Sequence, residues 1–488
     1  MMIKNEKSDK VIKEQSDDQS QTGKALKKKL QVEYPNLWDV SEPADRDAAF
    51  AFAEEYKIFL DLAKTEREFV TVAVETLESL GFSDLNQTSS LTAGDKVYKN
   101  IRGKGLVAAV IGVQPIQTGC NLIGAHIDSP RLDLKPNPLY EDADLTFLKT
   151  HYYGGIKKYQ WPAIPLALHG VVFRADGSPL VLNIGENDQD PVLTITDLLP
   201  HLGAEQMSRK STELIKGEEL NVLVGGLPYP DPELAGRFKL NLLQLLNEQY
   251  GLVEKDLVTA EIEIVPAGKA RDVGLDRSMI GAYGQDDRAC AFPALAALTD
   301  LEKPERTSVC MFFDKEETGS DGNTGAQSRS YENVLLQLLF LQKPDANVIE
   351  QAKMMENCRM LSADVSNAFD PTFASVSDPR NNSYLGRGIS LVKYTGSRGK
   401  GGTSDANAEF FARIVRLFDA EKIPWQTGEL GKVDAGGGGT IAKYLANTGM
   451  DVIDCGIPVL SMHSPFEIAS KIDLYFTYLA YKTFLTKM

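Results

Sequence analysis

Asn121-Leu122-Ile123-Gly124-Ala125-His126-Ile127-Asp128-Ser129-Pro130 is a short apolar run that ends by presenting a histidine and then an aspartate. A run of this length suits a buried strand. Its last residue sets an imidazole at the carboxyl edge of the sheet, the edge where open α/β sheets bind ligands. The same construction returns along the chain. Residues 308–313 run apolar into Asp314 and then Glu316-Glu317. Residues 360–363 end at Asp364, and residues 452–461 end just before His463. Asp286-Asp287 opens the Ala-rich stretch DDRACAFPALAAL. Taken singly, each feature has a plain structural reading: a helix N-cap, an exposed acidic pair, a turn residue, a satisfied histidine. Their recurrence at separate strand ends carries the argument.

Working outward, residues 105–113 are also strand-like, and helical patterns stand between such runs. Residues 44–80 place Phe50, Phe52, Tyr56, Phe59, Leu60 and Ala63 at helical spacing, and residues 289–301 and 332–341 continue the theme. This alternation predicts an α/β domain of three layers, α/β/α, around a mixed, mostly parallel sheet. The stretch 134–266 differs, with β-rich pieces at 166–173, 180–183, 220–224 and 259–265 among Pro and Gly breakers. It is read as an inserted smaller β-rich domain. A chain of 488 residues exceeds what one core usually supports, so two domains are expected. The division is a flexible N-terminal segment 1–30, a discontinuous α/β domain over 31–133 and 267–488, and the insert at 134–266.

A net charge of −16 argues against a nucleic-acid partner, because that affinity comes largely from clustered Lys and Arg. The run Lys27-Lys28-Lys29 is read as a solvated helix face. The amino end carries no secretory signal and no apolar run is long enough for a membrane span, so a cytoplasmic location is expected. The cysteines Cys120, Cys290, Cys310, Cys358 and Cys455 form no close pair and are read as reduced thiols.

Two histidines and three or more carboxylates, with no thiolate, suit divalent ions such as zinc, cobalt or manganese. One carboxylate can bridge two such ions. The adjacency of Glu316 and Glu317 is useful, because one can ligate while its neighbour takes a proton from water.

At these residues the chain resembles the aspartyl aminopeptidase family of zinc metallopeptidases, including its bacterial branch, aminopeptidase 1. The segments that carry the resemblance are GAHIDSPRLDLKP, GQDDRACAF, FDKEETGS, SADVS and GIPVLSMHSP, spread from about Leu106 to Leu485. The resemblance implies that His126 and Asp364 hold one metal, Glu317 and His463 the other, and Asp286 bridges both. It implies Glu316 as the general base, Asp128 as the residue that orients His126, and a cis peptide after Asp286. It further implies a dimerisation or lid role for the insert and a dodecamer built from dimers. In that assembly His201, in PVLTITDLLPHL, would reach a neighbouring site; a surface histidine is the other reading. Asn367 stands where acid-preferring relatives carry a histidine, and Lys393 where they carry a lysine that can pair with an acidic side chain; a strand-edge lysine facing solvent is its rival. Acidic and broader neutral preferences therefore both stay open. Gly437 and Gly438 suit a close backbone approach to substrate, or a plain turn. His151 and His169 are left as structural or solvated.

The expected function is a metal-dependent aminopeptidase acting on peptides with a free amino end, with two divalent ions per chain, zinc first. A non-catalytic scaffold of the same fold and a related deacylase or carboxypeptidase are the alternatives. The Gly-rich segments do not fit GxxxxGK[ST], which argues against a phosphate-binding loop.

Overall fold

The computed structural model describes residues 23–488. Four neighbouring strands form the centre of a nine-stranded sheet and run parallel: Ser308–Phe313, Asn121–His126, Arg359–Ser362 and Asp451–Gly456. Beyond Ser308–Phe313 lie Gly105–Val110, Lys96–Ile101 and the short Ser83–Asp84. Beyond Asp451–Gly456 lie Ile389–Val392 and Trp425–Thr427. Antiparallel joins occur at Gly105–Val110, on both its sides, and between Ile389–Val392 and Asp451–Gly456. The sheet is thus mixed and mostly parallel, as expected.

Because strand side chains alternate, each central strand feeds two cores. Ile123, Ala125, Cys310 and Phe312 enter one, with Tyr56, Phe69, Leu298 and Phe484 from helices Pro43–Leu62, Glu66–Ser79, Gln285–Thr299 and Lys471–Lys487. Leu122, Val309, Met311 and Phe313 enter the other, with Leu335, Met354 and Leu445 from helices Arg329–Gln342, Val348–Asn357 and Ala442–Ala446. Burial on both faces explains the unbroken apolar runs. The result is a three-layer α/β/α architecture. All five cysteines are buried free thiols.

A second sheet of seven strands is built from residues between Arg131 and Pro266 around its own core, which includes Leu132, Trp161, Val222 and Ile264. Its longest piece is the hairpin Arg131–Asp142 with Leu145–Tyr153, which was not legible as strand. Pro136 and Pro138 read as breakers, but the ladder shifts register between Leu134 and Leu139 and so accommodates them. The sheet therefore starts at Arg131, ahead of the composition change near Leu134. Helix Arg237–Tyr250 packs on this sheet through Leu242, Leu243 and Leu246. A third, five-stranded sheet contains Met279–Ala282, Glu467–Ser470, Pro458–Leu460 and Ser366–Asn367. The run expected as one strand over 452–461 is split at Ile457 between the first and third sheets.

Residues 23–30 are helical; the remainder of the expectation for residues 1–30 lies outside the described residues. Among the described residues, no helix is long and apolar enough to cross a membrane.

Candidate active site

The four parallel strands end at one edge, and the chain leaves each of them with a polar side chain. His126 closes its own strand. Asp364 lies two residues past Ser362, Glu316 and Glu317 form a single helical turn past Phe313, and His463 follows the strand Pro458–Leu460. Asp286 enters at the start of helix Gln285–Thr299, and its peptide bond to Asp287 is cis. These groups converge. His126, Asp286 and Glu317 each bring a donor atom within 4.8 Å of the others, as do His126, Glu316 and Asp364, and Asp286, Asp287 and Asp364.

Both imidazoles have their tautomer set by a carbonyl. His126 donates its Nδ1–H to the backbone oxygen of Asp128 at 3.0 Å, and His463 donates its Nδ1–H to that of Gly155 at 3.0 Å. A carbonyl can only accept, so Nδ1 carries a proton in each ring and Nε2 is the nitrogen that turns inward. His126 Nε2 lies 3.1 Å from Asp286 Oδ1, and His463 Nε2 lies 3.2 Å from Asp286 Oδ2. His463 Nε2 is also 3.4 Å from Glu317 Oε1, and His126 Nε2 is 4.0 Å from Asp364 Oδ1. Imidazole nitrogens and carboxylate oxygens crowded to such distances are neutralised either by protons or by bound cations. Glu317 Oε1 is buried without a hydrogen-bond partner, which leaves it free to take one or the other.

The titration behaviour reports that crowding. Burial pushes the Glu316 carboxyl up to about 7, with Asp128 and Asp286 adding to the effect against the pull of the imidazoles. Burial, and then Asp286, raise Glu317; burial raises Asp364. Asp286 goes the other way. Despite the cost of its burial, hydrogen bonds from both histidines hold it well below the usual carboxylate range. His463 is raised to about 10: burial opposes the charge, but Asp286 and Glu317 overcome it. Carboxylates kept protonated and imidazoles kept charged are what an anionic pocket does when protons alone must neutralise it.

Asp128 is buried beneath this cluster. Its Oδ1 accepts from the Glu316 N–H at 3.1 Å and its Oδ2 from the Glu317 N–H at 3.2 Å. Asp128 thus reaches His126 chiefly through its main-chain carbonyl, and its carboxylate fixes the turn that carries both glutamates. A cleft of about 530 Å³ opens above, within the range of small-ligand sites. His126, Asp286, Glu316, Glu317, Asp364 and His463 line it, together with Asn367, Gly437 and Gly438. Lys393 does not line it; the side chain is half exposed and pairs with Asp405. His201 stands exposed on the turn Pro200–Leu202, outside the cleft of its own chain. His169 is buried between Glu68 and Glu186, at 2.7 and 3.0 Å, as a structural histidine.

The family model described as aminopeptidase I zinc metalloprotease (M18) matches residues 59–485. The chain belongs to the M18 aminopeptidase family. A probable M18 family aminopeptidase 1 of Clostridium acetobutylicum is 50% identical over 460 residues, covering 93% of this chain and 99% of that protein. Among solved structures, the M18 aminopeptidase of Thermotoga maritima superposes with a TM-score of 0.90 at 47% identity, over 94% of this chain and 100% of that one. The S. cerevisiae mApe1 dodecamer superposes with a TM-score of 0.72 at 21% identity, over 89% and 96%.

This M18 chain is therefore a metalloaminopeptidase, and its inward donors, two imidazole nitrogens and several carboxylates with no thiolate, fit zinc. Several residues of the M18 site carry no sequence signal. Glu467 accepts from the Asp286 N–H at 3.0 Å and the His463 N–H at 2.7 Å, bracing two of the converging residues at once. Burial, and then Asp286, push it up to about 8. Tyr153 donates its hydroxyl to Asp128 Oδ2 at 2.7 Å. Lys443, Tyr444, Thr440 and Glu429 complete the cleft wall.

Proposed function

We propose that the cleft removes the first residue of peptides by a two-ion hydrolysis with Glu316 as general base. The observation that carries this reading is Asp286, whose two oxygens each face a different inward-turned imidazole at 3.1 and 3.2 Å. One carboxylate between two imidazole nitrogens, each a metal donor once its proton is displaced, suits a cation on each side. His126 and Asp364 would hold one ion, Glu317 and His463 the second, and Asp286 both. Bound zinc supplies Lewis acidity, lowering the pKa of water and neutralising charge that develops on the scissile carbonyl.

Glu316 accepts the proton of the attacking water and returns it to the leaving amine. Asp128 keeps that carboxylate in place by holding its main-chain N–H. The cleft's carboxylates offer the substrate's free amine an anionic seat, which is why an exposed amino end is required. Acidic and neutral first residues both suit the cleft, since Lys443 offers a cation while Val392, Leu430 and Met462 offer apolar wall. Asn367, Gly437 and Gly438 are the further substrate contacts.

The residues 134–266 form the inserted domain in this reading, with the dimerisation or lid role, and 31–133 with 267–488 form the catalytic one. We take the chain as a homo-oligomer, a dodecamer built from dimers, in which His201 serves a neighbouring site. Exposed Leu198, Leu199 and Leu202 around His201 support an interface there. Five buried, unpaired thiols support a cytoplasmic enzyme.

A panel of aminoacyl arylamides, with matched peptides bearing free or blocked amino ends, tests the reading. Only free amino ends should be cut, a chelator should abolish turnover and zinc should restore it. Equal cleavage of blocked peptides would favour a deacylase or carboxypeptidase, and no cleavage by the zinc-loaded protein would favour a scaffold. Elemental analysis should give two zinc ions per chain, and Asp286→Ala should lose them.

A further inference from the structure

The strand Leu145–Tyr153 belongs to the seven-stranded sheet, yet the chain at its end packs into the cluster of converging carboxylates and imidazoles at the edge of the nine-stranded sheet. Three consecutive residues make the contact, each to a different group. Tyr153 donates its hydroxyl to Asp128 Oδ2 at 2.7 Å, and the two Asp128 oxygens carry the main-chain N–H groups of Glu316 and Glu317. Gly154 lies against Glu317, where an added Cβ would sit 3.3 Å from the Glu317 Cβ. Gly155 offers its carbonyl to His463 Nδ1–H at 3.0 Å, and an added Cβ there would sit 3.2 Å from that same nitrogen.

Tyr153 is itself held. Its partner across the ladder is Arg131, and the Arg131 guanidinium lies 3.9 Å from the centre of the Tyr153 ring. Arg131 also reaches Glu263 on the same sheet at 3.2 Å and Glu66 on helix Glu66–Ser79 at 3.4 Å. The ring is thereby fixed from both domains, and its hydroxyl has one direction in which to point.

We propose that Tyr153–Gly155 is a positioning segment through which the seven-stranded sheet orients ligands of both ions: Glu317 and its turn through Tyr153 and Asp128, and His463 through the Gly155 carbonyl. This rests on the two-ion reading above. Of its three residues only Gly155 lines the cleft, and the contacts described above all go to Asp128, Glu317 and His463. It sets the direction in which donors point, the kind of support whose loss commonly costs about 10–100-fold in metal affinity or activity.

Tyr153→Phe keeps the ring and its stacking on Arg131 and removes only the hydroxyl. Gly155→Ala, at a residue without positive φ, adds a methyl group against the His463 imidazole and supplies a second test if the first variant folds poorly. Zinc affinity is measured by competition with a chromophoric chelator, kcat and KM on one arylamide, and thermal midpoint on the zinc-free proteins. The expected result is zinc affinity weakened and kcat lowered by about 10–100-fold, with KM within about twofold and unchanged zinc-free midpoints. Zinc affinity and kcat equal to wild type in both variants would overturn the proposal. So would losses that track a lowered zinc-free midpoint, which mark a merely structural role. Failure of the wild-type protein itself to bind zinc would instead refute the metal-site reading on which the proposal rests.

Discussion

Glu316 sits at the strand edge with its carboxyl pushed up to about 7 by burial, while its neighbour Glu317 turns toward His463. That division of labour predicts the behaviour of Glu316→Gln. The change removes the proton acceptor and leaves the other converging side chains, so kcat should fall by about 10²–10⁴-fold with zinc content retained, read by steady-state kinetics beside elemental analysis. A variant as active as wild type would remove Glu316 from the mechanism. The pH dependence follows with its sign. The base works ionised, and a raised pKa keeps it protonated to higher pH, so kcat/KM must fall as pH drops through that value. Bound cations favour the carboxylate and place this acid limb at or below about pH 7. A profile measured between about pH 4.5 and 8 should show it; a flat profile would contradict the assignment. At this scale the sequence was informative wherever a polar residue closed an apolar run. His126, Glu316 with Glu317, and Asp364 stood out for that reason. Glu467 did not, because it opens the four-residue strand Glu467–Ser470 and only its burial against Asp286 and His463 reveals its place.

At the scale of elements, two glycine-rich segments form one wall of the cleft by packing backbone on backbone. The Gly396 N–H donates to the Gly438 carbonyl. A Cβ on Gly437, whose φ is +142°, would overlap the Gly396 carbonyl oxygen. The requirement for glycine at 437 thus comes from the neighbouring loop as well as from any bound peptide. Gly437→Ala should cost about 1–3 kcal/mol of stability and lower kcat/KM as the wall shifts; a calorimetric midpoint equal to wild type would show that the wall yields freely. Among the strands, 308–313 was readable to the residue because both its faces are buried and no breaker interrupts it. The hairpin Arg131–Asp142 with Leu145–Tyr153 was hidden by Pro136 and Pro138, whose effect on the ladder depends on a partner strand that local sequence does not show.

At the scale of the whole molecule, the site is finished by elements from all three sheets: His126 from the first, Tyr153 and Gly155 from the end of a second-sheet strand, Asn367 and Glu467 from the third. His201 belongs to none of these contacts within its own chain, so a part for it requires a second copy. Light scattering should find a homo-oligomer. His201→Ala should keep that assembly and, with one donor to transition-state charge removed, lose roughly 10²–10³-fold in kcat/KM. Co-expression of His201→Ala with Glu316→Gln should recover part of the activity, because some sites then receive an intact histidine from one chain and an intact base from another. No recovery would confine His201 to its own chain or to the surface.

The linear chain by itself determined which residues could be buried as strands, which polar groups would follow them, and hence the layered α/β class and the candidate ligands at the strand ends, because hydrophobic periodicity and strand ends are local properties. Only the tertiary structure decided how those ends meet: that Asp286 divides its oxygens between two imidazoles, that Lys393 turns away to Asp405, and that the seven-stranded sheet sends Tyr153–Gly155 into the cluster. Such contacts join residues hundreds of positions apart. The direction of a side chain across such a distance is set by packing, which no local pattern encodes.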